Sequence, residues 1–362
     1  MNRRAVRRIL VCALLPIGDT LFATPAIRAV RAAYPQAHIT ALTYPTNSGI
    51  LAANPAVDRI WLAPTRDHPQ GLRGVGRLLA AIRAERFDLG LELSNYNYGL
   101  GRWGGIGRSV TMRLPRLWWI RPGAGRAWRQ QHAVEHYAAV AQRAGAPVRD
   151  WRLHIYVTPA EVAACDTLLR DHGIRPAEPL IGIHPGGEGL WGRKQWAAAG
   201  FAAVAETLHR TAGVKIVLLG GHEDARVAAE VAQRSRAPVL NLAGQTTLGA
   251  TAAVARRCVL FIGNDSSPLH IAAAAGTRVL GIYGLTDPRS YRPWLPGGVA
   301  GRDYAVVCSS APCAACFPLV GGITLLGWAH CATCDALSAV TAAQVCAAAL
   351  PLLAAGLAES RI

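Results

Sequence analysis

Lysine is almost missing from this chain. Among 38 basic residues it occurs only at Lys194 and Lys215, so an ammonium at either place departs from an arginine habit. Charge of any kind is scarce at 17% of residues, against 51% hydrophobic, which excludes a disordered chain kept open by its own charge. Long apolar runs are also lacking. Ile9 to Leu15 follows Arg3, Arg4, Arg7 and Arg8, but it is too short to span a bilayer. It passes into Pro16-Ile17-Gly18-Asp19 without a small-residue cleavage site, so it reads as a buried first strand of a cytoplasmic protein and not as a signal peptide. The Ala-rich stretch from Val340 to Ala358 is longer, yet alanine contributes little and Gln344 and Pro351 interrupt it, so a packed or surface-lying helix is expected. Nine cysteines, an odd number, argue against a disulfide framework in such a compartment.

What is present suits two domains. At 362 residues the chain exceeds the usual single-domain size. Apolar runs alternate with Ala-rich amphipathic stretches: strands at Ile9–Leu15, His38–Thr43, Arg59–Leu62 and Asp88–Leu93, helices at Thr20–Ala33, Gly74–Glu85 and His132–Ala144. After the polar stretch Gly145–Pro159 the alternation resumes. A capping box, Thr158-Pro159-Ala160-Glu161, opens a helix running to about His172. Strands follow at Leu180–His184, Lys215–Leu219, Val239–Leu242, Val259–Ile262 and Arg278–Ile282, with helices at Ala197–Arg210, Glu223–Ser235 and Leu269–Ala275. Alternation of this kind builds parallel sheets. The expected architecture is α/β, two doubly wound Rossmann-like domains at 1–155 and 156–362, with ligands at the carboxyl ends of the strands.

The loops there carry the candidate chemistry. Pro185 to Trp196 places Gly186, Gly187, Gly189 and Gly192 beside Arg193 and the out-of-habit Lys194, a composition that lets backbone amides and a cation approach a phosphate. A flexible basic turn would look the same, and the lysine favours the phosphate reading. Gly263-Asn264-Asp265-Ser266-Ser267-Pro268-Leu269-His270 leaves an apolar strand for a helix whose N-terminus would face an anion. Capping alone explains one of Asp265 and Ser266, not the cluster with His270. The loop Tyr283 to Pro288 could line the same pocket. In the first half Asp19 sits at a helix start, where it serves either as a cap or as a base for a hydroxyl.

Other features bound the function. Gly99-Leu100-Gly101-Arg102-Trp103-Gly104 has the letters of a dinucleotide fingerprint, but no helical period follows and no acidic residue occurs before Glu135, so a dehydrogenase is not expected. Leu93 to Val134 lacks acidic residues and carries Arg102, Arg108, Arg113, Arg116, Arg121, Arg126 and Arg129 among four tryptophans. With a net charge of +16, that stretch favours an anionic acceptor at a membrane face, with Arg113, Arg116 and Arg121 as candidate contacts. The alternative is a solvated basic loop with buried tryptophans. Cys313-Ala314-Ala315-Cys316 and Cys331-Ala332-Thr333-Cys334 have a spacing that could hold a structural zinc, or form a cysteine-rich segment without metal. Catalysis is expected not to depend on such a zinc, and no other cofactor is expected.

Taken in order, these loops resemble glycosyltransferase family 9, the ADP-heptose:lipopolysaccharide heptosyltransferases and their relatives. The resemblance rests on Gly18-Asp19 with Pro25 and Arg28, Tyr34-Pro35, Asn54-Pro55 with Asp58, His184-Pro185-Gly186, Lys194 with Trp196, Phe201 and Ala202, and Gly263-Asn264-Asp265-Ser266 with His270. It implies a GT-B fold whose two domains face a central cleft, acceptor domain first and donor domain second, and inverting, metal-independent transfer. It further implies Asp19 as general base, Lys194 on the donor phosphates and Glu223 on the donor nucleoside. Gly186, Gly187, Asp265, Ser266, Ser267 and His270 would complete the donor site; Ser267 stands where many relatives carry glycine. The partners would be an ADP-heptose-type nucleotide sugar and a phosphorylated lipopolysaccharide acceptor, met at the inner face of the inner membrane, with no role for nucleic acid. Two other readings stay open at this stage: a transferase of the same family with another sugar or acceptor, and a nucleotide- or RNA-binding protein without transfer activity.

Overall fold

The structure is a computed structural model that describes residues 6–63, 71–94, 99–112, 131–187, 194–284, 286–310 and 336–360. Arg113, Arg116, Arg121 and the cysteines Cys313, Cys316, Cys331 and Cys334 lie outside the described residues. The chain divides into two compact units, Met1–Tyr156 and Val157–Ile362.

In the first unit, strands β1 (Arg8–Ala13), β2 (His38–Thr43), β3 (Arg59–Leu62), β4 (Leu89–Glu92) and β5 (Arg108–Thr111) form one sheet in the order β3-β2-β1-β4-β5. Every pairing is parallel. Residues Ile9 to Ala13 are all buried, as expected of a strand covered on both faces, and this confirms the leading apolar run as core. The expected helix over Thr20–Ala33 is two helices, Ile17–Phe22 and Thr24–Ala33. Pro25 explains the break: it lacks an N–H and its ring clashes with the preceding turn, so it suits the first turn of a new helix better than the middle of an old one.

Most of the family-like residues in this unit hold the backbone. Arg28 donates to the carbonyls of Asp150 (3.1 Å) and Arg152 (2.8 Å), which ties down the stretch leading out of the unit. Arg152 and, after it, Arg28 hold the Asp150 carboxyl down at about 2. Tyr34 Oη donates to Ala144 O at 2.6 Å. Asp58 accepts from the amide of Ile39 at 2.7 Å and pairs with Arg31, and Asn54 Oδ1 accepts from the amide of Ala56.

The glycine-rich decoy is also explained by packing. Leu100–Trp103 is a single helical turn whose Gly101 amide donates to the buried Glu92 carboxylate at 2.7 Å. A Cβ on Gly101 would collide with Ser109 and Glu92. The short helix leads directly into β5 and not into the long helix a dinucleotide site requires.

The second unit carries β6 (Leu180–His184), β7 (Lys215–Leu218), β8 (Val239–Asn241), β9 (Cys258–Asn264), β10 (Val279–Tyr283) and β11 (Tyr304–Cys308), ordered β11-β10-β9-β6-β7-β8, again all parallel. The first strand of the unit, β6, therefore lies centrally beside β9, and the direction of winding reverses between them. Such a switch point opens a crevice outside the strand ends, where ligands bind in sheets of this kind. One apolar cluster on a face of this sheet includes Ile183, Phe201, Ile216, Leu260 and Ile282; another includes Leu180, Val217, Phe261, Leu269 and Val279. The capping box at Thr158 is formed as expected, Thr158 Oγ1 accepting from the Glu161 amide and Glu161 Oε2 from the Thr158 amide. The Ala-rich tail is the helix Ala342–Glu359. It is long and apolar enough to cross a membrane, and here Val345, Ala349, Leu352 and Leu353 pack into the sheet's core.

Candidate active site

At the switch point of the second unit, the loops after β6, β9 and β10 meet. Asp265 is the centre. Its carboxylate is buried and accepts from Lys194 Nζ at 2.7 Å and from Thr286 Oγ1, with His270 Nε2 at 3.4 Å from the other oxygen. Burial pushes this carboxyl up, but the Lys194 ammonium and His270 more than reverse it, leaving the group well below the usual carboxylate range. Lys194 keeps 21% of its side chain exposed. An ammonium has three N–H donors, so the bond to Asp265 orients Lys194 while leaving donors for a ligand.

Asn264 fixes the two loops to each other. Its Nδ2 donates to the carbonyls of Pro185 (3.1 Å) and Gly186 (2.7 Å), and its Oδ1 accepts from the amide of Trp196 at 3.1 Å. Trp196 in turn donates from Nε1 to Val340 O at 3.0 Å and meets Phe201 edge-on at 4.9 Å. The apolar residues of the motif thus anchor the loop that carries Lys194.

Beneath the glycines lies Asp224, also buried. Its carboxylate lies 3.0 Å from His184 Nε2 and accepts from the Gly221 amide at 2.9 Å; a bond from the Gly187 amide adds to these. Burial raises this carboxyl, and His184 with the two amides brings it net below its ordinary value. Gly186 is required here because a Cβ would fall inside the Asp224 carboxylate, and Gly187 has φ +140°, a conformation that favours glycine. The Gly187 amide, expected to face a phosphate, is directed to Asp224 instead.

Ser266 is the N-cap residue of the helix Ser267–Ala274, yet its side chain makes no capping bond. Its Oγ lies 2.8 Å from His184 Nδ1 and 3.2 Å from Asn264 O. Ser267 is half-buried at the start of the same helix. Glu223 is exposed in the 3-10 turn His222–Asp224 that precedes the helix Ala225–Arg234, two residues beyond the bare Cα of Gly221, which its carboxylate covers.

In the first unit, the helix Ile17–Phe22 begins after Pro16, and Asp19 lies inside its first turn, not at the N-cap. Its Oδ1 accepts from Tyr137 Oη at 2.6 Å. The carboxylate is thus aimed by a phenol on the helix Ala133–Arg143.

Sequence reasoning brought together Lys194, Asp265, Ser266 and His270; the structure joins Lys194, Asp265 and His270 in one cluster, while Ser266 turns to His184 and the Asn264 carbonyl. It missed Asp224, Asn264's bridging role and Tyr137. A signal existed for Asp224, since an aspartate next to Glu223 follows two glycines at a strand end, but only contact with His184 gives it meaning. Among the described residues no group of histidine, cysteine and acidic side chains could hold a metal ion. The thiols of Cys12 and Cys258 are driven far up by burial, and that of Cys165 to about 11, so these are inert core residues.

Two doubly wound units with a charged cluster at a switch point define a ligand-binding α/β protein. A family model for glycosyltransferase family 9 (heptosyltransferase) matches residues 75–318, and the chain belongs to that family; it is a glycosyltransferase. Lipopolysaccharide heptosyltransferase 3 of Escherichia coli is 27% identical over 294 residues, covering 76% of this chain and 83% of the relative. Among solved structures, a family 9 glycosyl transferase from Veillonella parvula superposes with a TM-score of 0.77 at 24% identity, covering 96% of this chain and 97% of that one. The ADP-heptose lps heptosyltransferase II of E. coli gives 0.69 at 20% identity, covering 96% and 98%. These likenesses establish the two-domain GT-B fold expected above.

Proposed function

We propose that this enzyme transfers a heptose from an ADP-heptose-type donor to a phosphorylated lipopolysaccharide core, with inversion at the anomeric carbon. The observation that carries the reading is the Lys194–Asp265 pair, with His270 and Thr286, at the switch point of the second unit. Residues 1–155 would bind the acceptor and 156–362 the donor.

In the proposed step the acceptor hydroxyl oxygen attacks the anomeric carbon, the bond from that carbon to the diphosphate oxygen breaks, and the hydroxyl proton passes to Asp19. Such a base contributes about 10²- to 10⁴-fold. Lys194 meets the charge that develops on the departing diphosphate, a form of stabilisation effective in a partly water-excluded site. Glu223, exposed in the 3-10 turn after β7, would accept from ribose hydroxyls. The donor assignment draws on the E. coli structure named as an ADP-heptose enzyme, and the acceptor on relatives named for lipopolysaccharide. Arg113, Arg116 and Arg121 remain the proposed acceptor contacts, at the cytoplasmic face of the inner membrane, and the chemistry needs no metal.

Thermal stabilisation by ADP, UDP, GDP and NAD tests the donor reading. A ligand at 100 times its Kd stabilises by about 2.7 kcal/mol, so ADP alone should raise Tm. A stronger response to UDP or GDP would discard ADP-heptose while keeping the transferase.

A further inference from the structure

The chain Ser266–His184–Asp224 is not used by the transfer chemistry just described, yet it is contiguous, buried at His184 and Asp224 and half-buried at Ser266. We infer that His184 and Asp224 are positioning residues that point the hydrogen of Ser266 Oγ inward, so that Ser266 offers the donor an acceptor oxygen and contacts a sugar hydroxyl and not a phosphate oxygen. The inference rests on the assignment of this cluster to the nucleotide-sugar donor.

The hydrogens set the direction of each bond in the chain. Asp224 receives hydrogen bonds from two backbone amides, of Gly221 and Gly187, and a carboxylate that already collects amides acts as an acceptor only. His184 Nε2, 3.0 Å away, must therefore carry a hydrogen. In a neutral imidazole the other ring nitrogen is then bare. Nδ1 faces Ser266 Oγ at 2.8 Å, closer than the Asn264 carbonyl at 3.2 Å, so the hydroxyl hydrogen is spent on Nδ1. A serine at an N-cap ordinarily uses its oxygen on an amide of the first turn. Ser266 does not, which leaves its outward lone pairs for a ligand. A phosphate oxygen brings only lone pairs and would be repelled; a hydroxyl brings the hydrogen that this surface lacks.

Two measurements decide it. The first is the tautomer of His184, read from ¹⁵N-histidine-labelled protein at about pH 8, with the signal assigned by its loss in His184→Gln. Hydrogen on Nε2 is expected, and hydrogen on Nδ1 overturns the inference without touching the donor assignment. The second compares Kd for ADP and for ADP-heptose in wild type, Ser266→Ala, His184→Gln and the double variant. Ser266→Ala should weaken ADP-heptose about tenfold, the worth of one neutral hydrogen bond, and leave ADP within about twofold. His184→Gln retains an amide for Asp224 but releases Ser266, and should lose a similar factor. The double variant should lose no more than either single one, because both act on one contact. Equal loss of ADP and ADP-heptose in Ser266→Ala, a variant that only trims a half-buried hydroxyl, would place the contact on the diphosphate and overturn the inference. Failure of wild type to bind either nucleotide would instead overturn the donor reading, and with it the sugar contact.

Discussion

Replacing Lys194 by methionine should damage stability and ligand binding by separable routes. Asp265 retains about 6% of its side-chain exposure and Lys194 21%, so the substitution leaves a buried carboxylate with His270 and Thr286 but no cation. Removing one partner of a buried pair costs about 3 to 5 kcal/mol. The lower end applies here because Lys194 is partly solvated and two other donors remain. For a domain of this size each kcal/mol shifts Tm by about 2 to 4 °C, giving a loss of about 6 to 12 °C by calorimetry. Adding Asp265→Asn removes the stranded charge, and the double variant should recover most of that loss, since contacting residues are strongly non-additive. Binding of ADP should not recover, because the cation proposed for the diphosphate is still missing. A single variant that melts within about 2 °C of wild type, or a double variant in which the two losses simply add, would refute the view of Asp265 as a charge held by Lys194.

Gly186→Ala should destabilise the second unit by about 1 to 3 kcal/mol, because the added methyl meets the Asp224 carboxylate; urea unfolding with an unchanged m-value would show it. Asp265 and Asp224 are both depressed in the folded state, so their stabilisation is fully present above the ordinary carboxylate range. It is lost as pH falls below about 4. Melts from pH 7 to 3 should show that acid limb, and Asp265→Asn should flatten it. Tyr137→Phe removes the 2.6 Å bond that aims Asp19 and should lower kcat by up to about 10²-fold through misplacement of the base, with KM for the donor unchanged.

Much of the fold was legible because buried parallel strands announce themselves as apolar runs: β1, β2, β6 and β10 were placed within two residues. The strands β5 and β11 were not found. Arg108–Thr111 is polar for a strand, and Tyr304–Cys308 is an edge strand followed by no helix signal of its own. The helix Leu248–Arg257, capped by Thr247, is too rich in alanine for its period to show. For the candidate site, loops at strand ends with an unusual lysine singled out Lys194, Asp265, Ser266 and His270. Partnerships across 40 or more positions, such as His184 with Asp224 and Tyr137 with Asp19, depend on strand order, which periodicity does not encode.

The proposed reaction moves a sugar from an ADP donor with Asp19 as base. The most direct measurement is single-turnover release of ADP from ADP-heptose in the presence of lipopolysaccharide core, in wild type and Asp19→Asn, alongside donor affinity. With Asp19 as base, donor Kd is unchanged in the variant and transfer falls about 10²- to 10⁴-fold. Transfer retained in Asp19→Asn would contradict it.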